Sequence, residues 1–296
     1  MMSGLVVVGV DGSASALAAV ETAASEAQRR GARLRLVHAF VLPTLYAPVG
    51  PTIVGTPDDG LRALVECLLI EAEERAAAVA PGVHATQVLV EGDPLTVLEE
   101  QSRVADLVVV GSRGMGGFLG LVVGSTAVRL AARGRCPVMV VRERSEGAGP
   151  ILLGVDGSPA GAEAIDFAFT EAALHGAVLR AVHCWTTWNA PMPPPQDAAM
   201  PYANEPGALA GGEARLLSEA LAGHRARFPE VRVEQETVHA GTRETLIEAS
   251  RSARLLVVGA RGRGGFTGLL LGSVSQAMLH HAHCTVAVAR GTSSRG

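Results

Sequence analysis

Apolar residues fall in short unbroken runs separated by stretches of mixed polarity, and the alternation continues along the chain. Residues 4–10, Leu34 to Ala39, 83–90, Asp106 to Val110 and Pro137 to Val141 are short and rich in β-branched side chains. Each predicts a strand buried on both faces. Between these runs the apolar residues recur at helical spacing. Ser13 is placed to cap a helix running to about Arg30, where Gly31 stops it. A second helix is expected from about Asp58 to Val79, ended by Pro81-Gly82. Asp93 caps a short third with Pro94 at its first position, and Thr126 to Arg133 makes a fourth, with Ser125 at its start. Residues 41–57 carry Pro43, Pro48, Pro51 and Pro57 and predict a loop.

The same series then occurs again. Leu5-Val6-Val7-Val8-Gly9-Val10-Asp11-Gly12-Ser13 returns as Ile151-Leu152-Leu153-Gly154-Val155-Asp156-Gly157-Ser158, offset by 156 − 11 = 145. Gly111-Ser112-Arg113-Gly114 returns as Gly259-Ala260-Arg261-Gly262, offset by 259 − 111 = 148. A drift of three residues over a whole domain indicates a tandem duplication. Second-half strands are expected near 151–155, 178–184, 231–239, 254–258 and 285–289, with a proline-rich loop from Trp185 to about Pro206. The polar stretch Glu143 to Gly149 reads as a linker, giving domains at 1–145 and 149–296. Alternating strands and helices predict α/β, Rossmann-like domains, each a five-stranded parallel sheet with helices on both faces. If the first and fourth strands are neighbours, the order is 3-2-1-4-5. A ligand then binds beyond the strand ends where the order reverses.

Composition sharpens this. Hydrophobic residues make up 48% and aromatics 3%, so the core is built of Ala, Val and Leu. A net charge of −4 gives no electrostatic reason to expect nucleic-acid or membrane binding. No run reaches membrane-spanning length, and no basic region with a long apolar stretch opens the chain; a cytoplasmic protein is expected. Cys67, Cys136, Cys184 and Cys284 lack CxxC spacing and read as reduced thiols. Lysine is absent, which excludes a P-loop lysine, a Schiff base and a lysine general base.

The chemistry is concentrated in the loops after the fourth strand of each half. Both have the spacing G-x2-G-x9-G-S, in Gly111, Gly114, Gly124, Ser125 and in Gly259, Gly262, Gly272, Ser273. Glycines let backbone N–H groups approach an anion, and the following helix N-terminus adds donors and the positive end of a dipole. This is not a Walker A loop, lacking the lysine and the x4 spacing. Nor is it a dinucleotide fingerprint, which follows the first strand.

Together, the Val-Asp-Gly-Ser strand ends, the Val37-His38-Ala39-Phe40 segment and the long-spaced glycine loop resemble the universal stress protein family, across essentially the whole chain. The resemblance implies tandem domains of the adenine nucleotide α-hydrolase-like fold, and ATP, with or without Mg²⁺, as ligand. In that family the ATP-binding branch carries this glycine spacing. By the resemblance Gly9, Val10 and Asp11 meet ribose and adenine, and Ala39 presents backbone groups to the adenine edge. Gly111, Ser112, Arg113, Gly114, Met115, Gly116 and Gly117 wrap the phosphates, with Gly124, Ser125 and Thr126 closing the site. Their second-half counterparts are Gly154, Val155, Asp156 and Cys184, then Gly259, Ala260, Arg261, Gly262, Arg263, Gly264 and Gly265, and finally Gly272, Ser273 and Val274.

Each residue has a plainer reading beside this one. Asp11 suits a ribose diol, or the start of the following helix. Arg113 and Arg261 could pair with phosphate or face solvent. His38 and His183 have no nucleophile in any recognisable motif beside them and read as structural, and no catalytic residue is assigned. His280-His281-x-His283-Cys284 spans a helix end, where histidines also favour the dipole, and is not taken as a metal site. The proline-rich loops read equally as lids or as connections. Three functions remain: an ATP-binding stress or regulatory protein acting on a protein partner, a slow ATP-hydrolysing or adenylyl-transferring enzyme, and an interaction scaffold. The final strands, from Pro137 and Thr285, are expected at sheet edges, where in this family they pair domains, so a homodimer is also expected.

Overall fold

In a computed structural model the residues described are 4–40, 57–114, 123–142, 149–186, 208–263 and 270–290. The chain divides into two units, Met1–Glu143 and Arg144–Gly296. The predicted proline-rich loops lie almost wholly outside the described residues, as do Met115, Gly116, Gly117, Gly264 and Gly265.

The first unit runs β1 (Leu5–Gly9), α1 (Ala14–Arg30), β2 (Arg33–Phe40), α2 (Pro57–Val79), β3 (Ala85–Glu91), α3 (Pro94–Gln101), β4 (Leu107–Gly111), α4 (Ser125–Arg133) and β5 (Val138–Val141). Its strands pair in parallel in the order β3-β2-β1-β4-β5, as the motif positions imply. Val6, Val7 and Val8 are 0% exposed, so helices cover the central strand on both faces. Burial of each such side chain is worth roughly 1.5–3 kcal/mol. Asp106 lies just outside β4. Its Oδ2 accepts the Leu5 N–H at 2.7 Å and fastens the beginnings of β1 and β4 together.

Local signals set the helix boundaries. Ser13 caps α1, its hydroxyl accepting from the Ala16 N–H at 3.1 Å, and Gly31 ends the helix at φ 59°. Asp93 caps α3 ahead of Pro94, as expected. At α4 the cap is Gly124, with no side-chain bond, and Ser125 is already helical. The long glycine loop thus delivers bare backbone to the helix start.

The second unit follows the same plan: β6 (Ile151–Gly154), α5 (Ala162–His175), β7 (Leu179–Trp185), α6 (Ala208–Arg227), β8 (Val233–His239), α7 (Thr242–Ala249), β9 (Leu255–Gly259), α8 (Ser273–His281) and β10 (Thr285–Ala289). Its order is β8-β7-β6-β9-β10, again parallel. One local departure stands out. Pro159 turns the chain into a 3₁₀ turn, Pro159–Gly161, before α5 begins. No described helix is long and apolar enough to cross a membrane.

Candidate functional site

In both units the sheet order reverses between the strand ending in the Val-Asp motif and the strand feeding the glycine loop. Crossovers leave to opposite sides there and open a cleft at the carboxyl ends. In the second unit this is a cavity of about 680 Å³, a size common for small-molecule sites. Its walls include Gly154, Val155 and Asp156 from the β6 end, and His183, Cys184 and Trp185 from the β7 end. Gly259, Arg261, Gly262 and Arg263 of the loop and Gly272, Ser273 and Val274 at the start of α8 close the other side.

Asp156 organises the centre. Its Oδ1 accepts from the Ser158 N–H at 2.9 Å and from the Ser158 hydroxyl at 2.8 Å. Its Oδ2 accepts the Arg263 N–H at 2.8 Å, so the glycine loop lies directly against the carboxylate. A Cβ on Gly262 would sit 2.7 Å from that oxygen. The first unit repeats the arrangement. Asp11 Oδ1 accepts the Ser13 N–H at 2.9 Å, and a Cβ on Gly114 would sit 2.6 Å from Asp11 Oδ2. The cap of α1 is Ser13, so Asp11 shapes the turn ahead of the helix rather than capping it.

Other motif residues serve as seams. Ser112 donates its N–H to Val141 O at 2.9 Å and accepts the Gly124 N–H at 2.7 Å, closing the loop on itself. Ala260 does the same with Ala289 and Gly272, at 2.8 and 2.7 Å. Ala260 is accordingly buried and does not line the cavity. Gly111 answers to packing, since a Cβ there would lie 2.7 Å from the Ser15 carbonyl oxygen of α1. Gly9 and Gly154 likewise make room for Leu98 and Leu246. Ala39 sits on β2 opposite Val90, and Ser125 and Thr126 form the first turn of α4. Arg113 and Arg261 are exposed at their loops, and Arg261 and Arg263 both line the second cavity. Arg263 also reaches back over Gly157.

The histidines after the second strands brace the site. His38 Nδ1 lies 2.8 Å from Val10 O and His183 Nδ1 2.7 Å from Val155 O, each just before the motif aspartate. A carbonyl only accepts, so both rings carry a proton on Nδ1. His183 is also on the cavity wall, and its Nε2 meets Glu213 Oε2 of α6 at 2.6 Å. Both groups are buried. Beside them burial pushes the Cys184 thiol up, and Trp185 stacks on His239 with centroids 4.3 Å apart. At the end of α8 the His280 and His281 rings are 6.0 Å apart, while the His283 N–H donates to Ser250 Oγ.

Glu213, Thr242, Leu246 and Trp185 line the cavity without having been singled out in the sequence. Glu213 left a trace. It stands four and eight residues before Leu217 and Leu221, 1% and 0% exposed, which puts its carboxylate on the buried stripe of α6.

Fold and cleft together define a tandem doubly wound α/β protein with a cleft at the carboxyl ends of its strands. Residues 2–142 and 148–290 each match the universal stress protein family, and the chain belongs to that family. It is 36% identical over 295 residues to a universal stress protein of Mycolicibacterium smegmatis, covering 96% of both chains. It is also 36% identical over 297 residues to one from Mycobacterium tuberculosis H37Rv, again with 96% of both covered. The crystal structure of a universal stress protein from Archaeoglobus fulgidus superposes with a TM-score of 0.71 at 17% identity, over 98% of this chain and 99% of that one, which speaks to the fold.

Proposed function

We propose that this chain binds ATP at the strand ends of each unit and uses it to set a conformation or the engagement of a protein partner, rather than to drive turnover. One observation carries the reading most directly: the loop glycines lie against the aspartate carboxylates, Gly262 on Asp156 and Gly114 on Asp11. An acceptor for a ribose diol and a backbone suited to phosphate are thereby brought side by side. The α8 start adds unsatisfied N–H groups, because Gly272 caps it without a side-chain bond. A cavity of about 680 Å³ accommodates a nucleoside triphosphate. The chain has no lysine to serve a Walker-type mechanism. Heating the purified protein to release bound nucleotide, followed by anion exchange and calorimetric titration, tests the reading. It predicts adenine nucleotide in the released fraction and saturable ATP binding; absence of both overturns it.

A further inference from the structure

The two units differ in the charge they place at a buried position of the site wall. Gly12 packs against Leu68 of α2, and Gly157 against Leu216 of α6, so these leucines occupy corresponding places. Three residues earlier stand Val65 and Glu213, 4% and 2% exposed. The first unit therefore presents methyl groups where the second presents a carboxylate. His183 holds that carboxylate. Its Nδ1 proton is committed to Val155 O, and the 2.6 Å contact between Nε2 and Glu213 Oε2 needs one further proton. The pair as a whole is therefore electrically neutral, which removes most of the cost of placing an acid in so enclosed a wall. Only Oε2 is used in this way. Among the described residues none donates to Oε1, although Glu213 lines the cavity.

The position of Glu213 along the cleft decides what it meets. The glycine loop follows β9, Asp156 ends β6, and the partner of Glu213 is on β7, with β6 between the other two. At about 4.8 Å per strand, β7 lies roughly 10 Å from β9, the span from the phosphates of a nucleotide to its base. A carboxylate oxygen there accepts a hydrogen bond from the base and stays clear of the phosphates. Resting on the ATP-binding reading, we propose that Glu213 is a specificity-determining residue of the second site, accepting a hydrogen bond from the adenine 6-amino group. The two sites of one chain thus read the base differently.

The test compares ATP with purine riboside triphosphate, which has hydrogen in place of the 6-amino group. Each site is isolated by calorimetry in the full chain carrying Gly114→Val or Gly262→Val, whose new side chains would collide with Asp11 or Asp156. With only the second site active, ATP is expected to bind roughly tenfold more tightly than the analogue, the effect of one hydrogen bond to a charged acceptor. Glu213→Val, which installs the residue native to the first unit, should bring the ratio close to that of the first site. Glu213→Gln should retain most of the preference, because its amide can donate to His183 Nε2 and still turn its oxygen to the base. With only the first site active, Glu213→Val should leave the ratio unchanged. The unmodified chain gives a reading free of substitutions: replacing ATP by the analogue should weaken one class of site about tenfold and leave the other nearly unchanged. A folded Glu213→Val protein that binds ATP and discriminates as its parent does overturns the proposal, as does an unmodified chain whose two sites discriminate equally. Failure of either site to bind ATP in any form would instead remove the nucleotide reading, and this proposal with it.

Discussion

The Arg263 amide donates to Asp156 Oδ2 at 2.8 Å across 107 residues of sequence, tying the glycine loop to the end of β6. The bond explains why glycine stands at 262, where a Cβ would fall 2.7 Å from the same oxygen. The carboxylate lies at the middle of the cleft, so a ligand hydroxyl arriving there shares or displaces a bond the loop already makes. On the proposed reading, loop position and ligand occupancy would be coupled through this one side chain.

Gly262→Val should accordingly weaken ATP binding at the second site by at least about tenfold, or roughly 1.4 kcal/mol. Gly114→Val should do the same at the first, where the corresponding distance is 2.6 Å. Calorimetric stoichiometry checks both: each variant should lose one binding event and keep the other. Neither glycine is buried within its unit's core, so the thermal midpoint should move little. A binding isotherm unchanged in both variants would show that the loops do not contact the ligand.

Gly31 and Gly176 test backbone conformation without interference from packing. They terminate α1 and α5 at φ 59° and 56°, and a Cβ on either would meet nothing within 4 Å. The cost of Gly→Ala is then conformational alone, about 1 kcal/mol at each site. Urea denaturation of the two single variants and the double should give closely similar losses that add, since the two glycines end helices in different units. A loss at one position only would point to a contact, because the backbone angles are nearly the same.

Ser13→Ala should cost about 1 kcal/mol, because it removes the acceptor for the Ala16 N–H at 3.1 Å. Ser125→Ala, at the equally motif-like start of α4, should cost little stability, since Gly124 is the cap and makes no side-chain bond. Denaturant midpoints of the two variants should separate clearly. Equal losses would show that Ser125 has a structural role the folded contacts do not reveal.

The strand order, the parallel sheets and the helix caps at Ser13, Gly31 and Asp93 were legible because each follows from local chemistry repeated in two halves. The alignment of loop glycines with Asp11 and Asp156 was legible only as a resemblance, because spacing along the chain does not say what faces what. Two features were hidden. One is the local role of Asp11: in the sequence its carboxylate suits a ribose diol or the start of the following helix, and in the fold it holds the turn ahead of the Ser13 cap. Glu213 was hidden because a carboxylate on a long helix ordinarily faces water. Only the packing of α6 on β7, next to His183, turns it inward.

Cys136 provides a pH-dependent check on the first unit's core. Burial pushes its thiol from about 9.0 up to about 12, with a smaller contribution from the nearby Asp106 carboxylate. The folded protein therefore keeps this proton at pH values where the unfolded chain has lost it. The stabilisation is complete below the unfolded pKa near 9.0 and disappears as pH rises towards the folded value of about 12. Across that window it amounts to at most about 4 kcal/mol. Cys136→Ala should flatten the loss of stability between pH 9 and 11 in urea titrations, although it lowers stability at neutral pH by opening a small cavity. Thiol labelling gives the complementary result. Exposed Cys67 should react at pH 8, while buried Cys136 should stay protected until the protein unfolds. Rapid labelling of Cys136 in native protein, or an unaltered alkaline slope in the alanine variant, would contradict the assignment.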